Sequence, residues 1–473
     1  MVKNMDVLKK IKIDFANSPD LIIRSYKISI FRKINLVFLE TVASNDKIND
    51  LVLKNLVNII NLKNNPKRLN ELVAGSNCAV INNYKEIEYY LTNGYVVIID
   101  KTTILAVEAR LNVFRSIMPP QVQSSINGPK DAFVENYLMN VGLIKRRIKS
   151  SHLKNKNAIV GKLTNTFVGV FYIDNVVDMK LVNTTYEKIK NLNIDSIVDS
   201  SEIAHLISGK KIFPTVKLTE RPDAVAKSLL NGKIAIVVDN SPFVLITPSF
   251  FIDFVHPDTD IYTKSINVNF IKNIRLFAFF ITTMVPGLYI AIVNYNQEAI
   301  PTKLLLNFAA QREGLPFPAF FEASLILLLS EILRESDLRF PSNYGSSISI
   351  LGALVLGEAA VSAGIVSPIM IIVISLSYIS SLMFTDIDMI NATRYYRFIF
   401  LIFAAFIGMY GWILIIFLLL FDLCSTTSIN KIYTAPLAPY DKAYFKSLII
   451  RSNEENINQR SNILVKKNRT RKA

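Results

Sequence analysis

The chain has 473 residues, 51% of them hydrophobic, with a formal charge of +15 and a mean hydropathy of +0.33; that length exceeds one ordinary domain and joins a polar part to a strongly apolar one. Two cysteines, Cys78 and Cys424, exclude a disulfide framework, and His152, His205 and His256 lack metal-ligand spacing. The basic residues sit beside apolar runs with no accompanying binding motif, which argues against nucleic acid as a partner.

Residues 1–35 read as a basic, partly helical lead-in. Two α/β segments follow, 36–150 and 151–262, and they resemble each other. VFLETVASNDKI (Val37–Ile48) aligns without a gap on VFYIDNVVDMKL (Val170–Leu181), and NGYVVIID (Asn93–Asp100) matches NGKIAIVVD (Asn231–Asp239). Each is a β-branched and aromatic strand beside a polar turn, so a diverged duplication into two cytoplasmic subdomains is expected. Between them, Gly128–Lys156 predicts a helix whose last turns carry Lys145, Arg146, Arg147 and Lys149. That basic run is either a solvated face or a contact for a neighbouring subunit or anionic lipid. TERPD (Thr219–Asp223) reads as a helix start with Thr219 as N-cap and Pro222 in the first turn. Pro242–Phe254 reads as a surface that meets a membrane.

From 263 to 425 the chain turns apolar, and helices able to cross ~30 Å of hydrocarbon are expected. Full spans are predicted at about 271–294, 345–366, 368–384 and 398–423. The stretch 318–336 carries Glu322, Glu331, Arg334 and Glu335 and is expected to be re-entrant or interfacial, with Glu331 and Arg334 paired one turn apart. Pro286 interrupts the first span and is a candidate kink or hinge. In 345–366 small residues, Gly352 and Ala360 among them, recur on one side, as in a closely packed bundle. Glu358 lies deep in that span, either as a packed structural carboxylate or as the border of an ion path. Four spans return the basic tail, 426–473, to the cytoplasmic side and put Arg394 and Arg397 on the outer side. The opening MVKNMDVLKKIKIDF lacks the apolar core of a signal peptide. No GxGxxG, Walker loop, HExxH or GxSxG occurs, so neither an enzyme nor a bound cofactor is expected.

Several long runs carry a resemblance over about Leu36 to Ser447. They are GPKDAFVENYLMNVGLIKRRI, FPTVKLTERPDAVAKSLLNGKIAIVVDNSPFVLITPSFF, IPTKLLLNFAAQREGLPFPAFFEASL, SISILGALVLGEAAVSAGIVSP and APLAP. In that order they resemble the A subunit of the GerA-type germinant receptors of bacterial spores; Met118–Phe133 departs from the family by lacking a Glu-Pro and an Arg before Gly-Pro. The resemblance implies an α+β membrane protein of the spore inner membrane, with its N-terminal domain and tail cytoplasmic. It further implies a B subunit and a C lipoprotein as partners, a homo-oligomer, and a nutrient-gated conduit for monovalent cations. A solute transporter subunit and a membrane scaffold for the germination machinery are the alternative readings. On this reading Gly352, Glu358, Ala360 and Pro286 are candidates for the pore or its gate, and Glu331, Arg334, Lys145, Arg146 and Arg147 for interfaces.

Overall fold

The computed structural model describes residues 4–16, 18–29, 32–54, 78–100, 103–111, 120, 123, 127–339, 357–441, 445, 459–465 and 468–470. The first unit opens with α1 (Asn4–Asp14), β1 (Leu21–Ser29) and β2 (Arg32–Leu39), then β3 (Cys78–Val80), α2 (Tyr84–Thr92), β4 (Tyr95–Ile99) and β5 (Ile104–Glu108). Its sheet has the order β1-β2-β4-β5-β3. Val7 and Ile11 of α1 and Phe15 just beyond it are buried against the sheet, so the described residues of 1–35 belong to this unit and are not a lead-in. Charge hid them: Arg24 and Lys27 sit on the exposed side of an edge strand, where lysine and arginine discourage unwanted pairing.

The second unit holds α3 (Tyr137–Arg147), β6 (Leu153–Val160), β7 (Thr166–Ile173), α4 (Met179–Lys190), α5 (Ser200–Ser208), β8 (Lys217–Thr219), α6 (Pro222–Leu230), β9 (Ile234–Val238) and β10 (Val244–Thr247). Its order, β6-β7-β9-β10-β8, repeats the first sheet strand for strand. The register repeats as well: Asn35 pairs with Ile99 and Val37 with Val97 in one sheet, Gly169 with Val237 and Phe171 with Ala235 in the other. Phe171 and not Val170 is therefore the counterpart of Val37, one residue on from the gapless sequence match. Both sheets are buried on both faces, which is why β4 and β9 read as unbroken apolar runs.

Helices follow. The short α7 (Phe251–Val255) leads through a 3₁₀ turn to α8 (Ser265–Tyr295), α9 (Thr302–Arg312), α10 (Ala319–Arg339), α11 (Pro368–Ser381), α12 (Ile387–Ile407) and α13 (Met409–Ser425). α8 and α12 are long and apolar enough to cross a membrane; α11 and α13 are shorter apolar helices. α8 begins six residues before the predicted span, inside the basic stretch that holds Lys272 and Arg275. The expected single helix at 398–423 is instead two helices folded back on each other at Gly408. Gly408 has φ of 68°, and a Cβ there would lie 2.8 Å from the Tyr295 ring. The Tyr295 hydroxyl donates to the carbonyl of Ala405 at 2.8 Å, which satisfies an orphan acceptor at the end of α12. High hydropathy ran unbroken through this turn and concealed it. Of 345–366 only 357–366 is described; Gly352 lies outside the described residues.

The chain then returns to the second unit. A two-stranded hairpin, β11 (Thr427–Ser428) with β12 (Lys431–Ile432), follows α13, and Tyr433 is buried against Phe213, Phe251 and Phe254. Leu464 and Val465 are fully buried in the core of the second sheet, so this part of the 426–473 tail is a structural element. Val244–Thr247 is likewise an interior strand, and Phe251, Phe254 and Val255 beyond it pack on the helices.

Candidate functional site at the helix bundle and its junction

Proline at 286 cannot donate a backbone hydrogen bond, so the carbonyl four residues earlier, Thr282, loses its helical partner. Two other helices supply donors. Arg397 Nε of α12 lies 3.0 Å from that carbonyl oxygen and Ser377 Oγ of α11 lies 2.8 Å from it. Thr282 Oγ1 in turn donates to the Ser377 carbonyl at 3.2 Å. At the next residue a Cβ on Gly287 would stand 2.8 Å from the Phe400 carbonyl oxygen, so only glycine lets α8 and α12 approach this closely. Trp412 Nε1 of α13 donates to Met284 O at 3.0 Å. Pro286 is therefore the point at which four helices are tied together by side chain to backbone bonds.

Beside this node lies a charge cluster. Glu331 pairs with Arg334 at 2.8 Å and with Arg394 at 3.4 Å. Arg397, 2% exposed, completes the group. Since α8 and α12 run parallel, from Arg397 against Thr282 to Ala405 against Tyr295, both arginines sit along the bundle and not at its outer end. α10 is a continuous helix packed alongside α8 and α11.

Near the far end, Glu322 is buried; its Oε2 accepts from Ser367 N and Ser367 Oγ, both at 3.0 Å. Arg312 Nε is 3.9 Å from its other oxygen. Glu322 Oε1 and the Tyr289 hydroxyl are buried without hydrogen-bond partners. The sequence flagged Glu322 only as one charge among several, because its partner Ser367 is 45 residues away. Glu358, by contrast, is exposed on the isolated chain and Ala360 half-buried.

The other end of α8 is linked to the second sheet by ion pairs that run through α7 and the 3₁₀ turn Asp258–Tyr262. Arg275 pairs with Asp260 at 2.7 Å, Lys217 with Asp258 at 2.7 Å and Lys233 with Asp253 at 2.6 Å. Burial opposes ionisation of Asp258, but Lys217 overcomes it and holds the carboxyl below the usual carboxylate range. Burial pushes His256 down to about 3, reinforced by Lys272 and Arg275, so its ring is neutral. In TERPD the N-cap position is Arg221, not Thr219, with Pro222 at the helix start. Thr219 Oγ1 accepts from Arg221 N at 3.2 Å, and Arg221 pairs with Asp223 at 2.7 Å.

Lys145 and Arg147 are committed inside the chain. Lys145 pairs with Asp20 at 2.5 Å, both buried, which ties α3 to the first unit, and Arg147 holds Asp131 at 2.6 Å. Arg146 is exposed. Among the described residues no group of three or more His, Cys, Asp or Glu is placed to hold a metal ion.

Comparison with known proteins agrees with the sequence over almost its whole length. The family described as Bacillus/Clostridium GerA spore germination protein matches residues 9–463. Spore germination protein KA of Bacillus subtilis (strain 168) is 35% identical over 95% of this chain and 84% of its own. Spore germination protein GerLA of Bacillus cereus is 30% identical over 98% of this chain and 96% of its own. A crystal structure of the N-terminal domain of the A subunit of the Bacillus megaterium spore germinant receptor GerK3 is 30% identical, with a TM-score of 0.41, over 52% of this chain and 95% of that one. The chain belongs to the GerA family of spore germination proteins, among the A-type subunits.

Proposed function

We propose that the chain is a multi-pass subunit of a nutrient germinant receptor in the spore inner membrane, with the two duplicated sheets and the tail on the cytoplasmic side. It works with a B subunit and a C lipoprotein, assembles as a homo-oligomer, and forms or gates a path for monovalent cations. The observation that carries this reading is the continuity of α8. One end is held by Arg275–Asp260 to the 3₁₀ turn, whose Asp258 pairs with Lys217 of the second sheet, and its middle is held to α11 and α12 through the carbonyl that Pro286 frees. A rearrangement at the sheets then reaches the bundle through one element, and a partner that binds two such arrangements unequally shifts the balance between them.

Glu358 supports an oligomer. A carboxylate exposed on an apolar helix in lipid is costly unless a neighbouring copy or water faces it. Gly352, Ala360 and Pro286 complete the gating candidates on this reading. Reconstitution with B and C partners into liposomes tests it: nutrient-dependent cation leak that changes in Glu358→Gln supports the conduit. Solute counterflow without leak would replace it with transport, and neither signal would leave a scaffold.

A further inference from the structure

The bundle holds an unusual charge balance at one depth. Arg334 and Arg394 share a single carboxylate oxygen, Glu331 Oε2, while Arg397 spends its Nε on a backbone carbonyl. Counting the exposed Glu335 one turn away, three guanidinium groups face two carboxylates among these five side chains. Arg394 Nε is buried with no hydrogen-bond partner, although another nitrogen of the same group bonds Asn391. Arg394 nevertheless keeps a third of its side chain exposed and Arg334 about a fifth, so both reach the outer surface of the bundle.

Depth decides what they meet there. The pairing of Arg397 with Thr282 sets Arg394, three residues earlier on the parallel α12, level with about Phe279, roughly 6 Å along α8 from Arg275 at 1.5 Å per residue. α10 runs antiparallel to α8, from Glu322 beside the α11 start to Glu331 beside Arg394. Arg334 therefore lies about 4.5 Å nearer the sheets than Glu331. On the membrane reading proposed above, this is the border between hydrocarbon and the cytoplasmic headgroups. Arginine stems lie along apolar surface there while the guanidinium reaches polar ground, and two forks converging on one point match a phosphate better than a second carboxylate does.

We propose that Arg334 and Arg394 form a binding site for the phosphodiester of an anionic phospholipid in the cytoplasmic leaflet. Glu331 holds the two side chains in place, and the lipid phosphate supplies the charge that Glu331 alone does not. The bound lipid bridges α10 and α12 at the level of the Pro286 node, so its occupancy stiffens that contact.

The test uses the full chain in nanodiscs of phosphatidylcholine, with and without phosphatidylglycerol, following thermal unfolding through the single tryptophan, Trp412, and counting retained lipid by native mass spectrometry. Phosphatidylglycerol should raise the midpoint by about 2–4 °C, and Arg334→Gln/Arg394→Gln should lose both the shift and the retained lipid. The equally discharged Lys188→Gln/Lys190→Gln, on the exposed face of α4, should keep them. Should the double variant fail to fold, Arg394→Lys, which keeps charge but not the fork, should weaken lipid retention at unchanged folding. An equal shift in the arginine variants overturns the site. The same shift from millimolar inorganic phosphate in phosphatidylcholine alone overturns the lipid assignment. Failure of the membrane reading itself would look different: the chain would remain dispersed without any nanodisc or detergent.

Discussion

The carbonyl oxygen of Thr282 and Nε of Arg397 lie 3.0 Å apart across two parallel helices, at the one backbone position that Pro286 deprives of its own donor. A buried arginine is expensive, and here it is positioned by a defect in another helix. Arg397→Met should therefore cost about 2–4 kcal/mol. In the background of Pro286→Ala, which returns the helical donor to Thr282, the cost of Arg397→Met should change by about 1 kcal/mol or more. A double-mutant cycle by denaturant titration of the purified chain measures this coupling. Strict additivity would mean that the proline and the arginine act independently.

The fold-back at Gly408 gives a second expectation. Gly408→Val places a branched Cβ in a left-handed backbone, 2.8 Å from the Tyr295 ring. It should destabilise the hairpin by about 2–3 kcal/mol. Tyr295→Phe, which removes only the hydroxyl that donates to the carbonyls of Ala405 and Phe406, should cost about 1 kcal/mol. Unfolding midpoints in detergent separate the two; a Gly408→Val protein as stable as the parent would mean that 398–423 is a continuous helix after all.

Much of the fold could be read from residues close in sequence, and little of the site could. The duplication was visible because its two signals, the Val37 and Val170 strands and the two Asn-Gly turns, are local and periodic. The Glu331–Arg334 pair was visible for the same reason. Arg397, Ser377 and Glu322 were not, since their partners lie 115, 95 and 45 residues away. The proline that creates the need for Arg397 is in plain view, but nothing in the spacing says which residue answers it. Apolar runs failed differently: hydropathy records what a helix touches and not where it turns, so Ile407-Gly408-Met409 passed as the middle of a span. Basic residues misled at Lys145, where a helix-end cation proved to be a buried partner of Asp20.

His256 makes the junction pH-sensitive. Its folded value is about 3, against 6.5 when free. Below pH 6.5 the unfolded chain binds a proton that the folded chain refuses, so its contribution to stability must fall as pH falls and recover as pH rises. Between pH 6 and 4.5, above the range where the paired Asp223 and Asp258 titrate, His256 contributes a slope that approaches about 1.4 kcal/mol per pH unit, opposed by Asp386, which burial at the start of α12 raises to about 6. His256→Gln should remove the histidine contribution over the same window. A parent and variant with identical slopes would show that the ring is protonated in the folded junction.

The two sheets share a slot that is filled in unlike ways, and this makes the tail testable. In the first, Ala43 bridges Arg110 just after β5, and Gly94 lies against the same residue. In the second, the matching positions Val177 and Gly232 meet Val465, which comes from the far end of the chain; a Cβ on Gly232 would stand 2.7 Å from Val465 Cγ2. The first repeat thus completes itself with its own next residues, while the second is completed by chain that has passed through every helix of the bundle. Val465→Asp buries a carboxylate where there is no room for it and should destabilise the second sheet by about 3 kcal/mol or more. Truncation after residue 458 should cost a similar amount while leaving the first sheet's amide protection unchanged. Hydrogen exchange resolves the two sheets separately, and equal loss of protection in both would mean that the tail supports the duplicated unit as a whole and not one half of it.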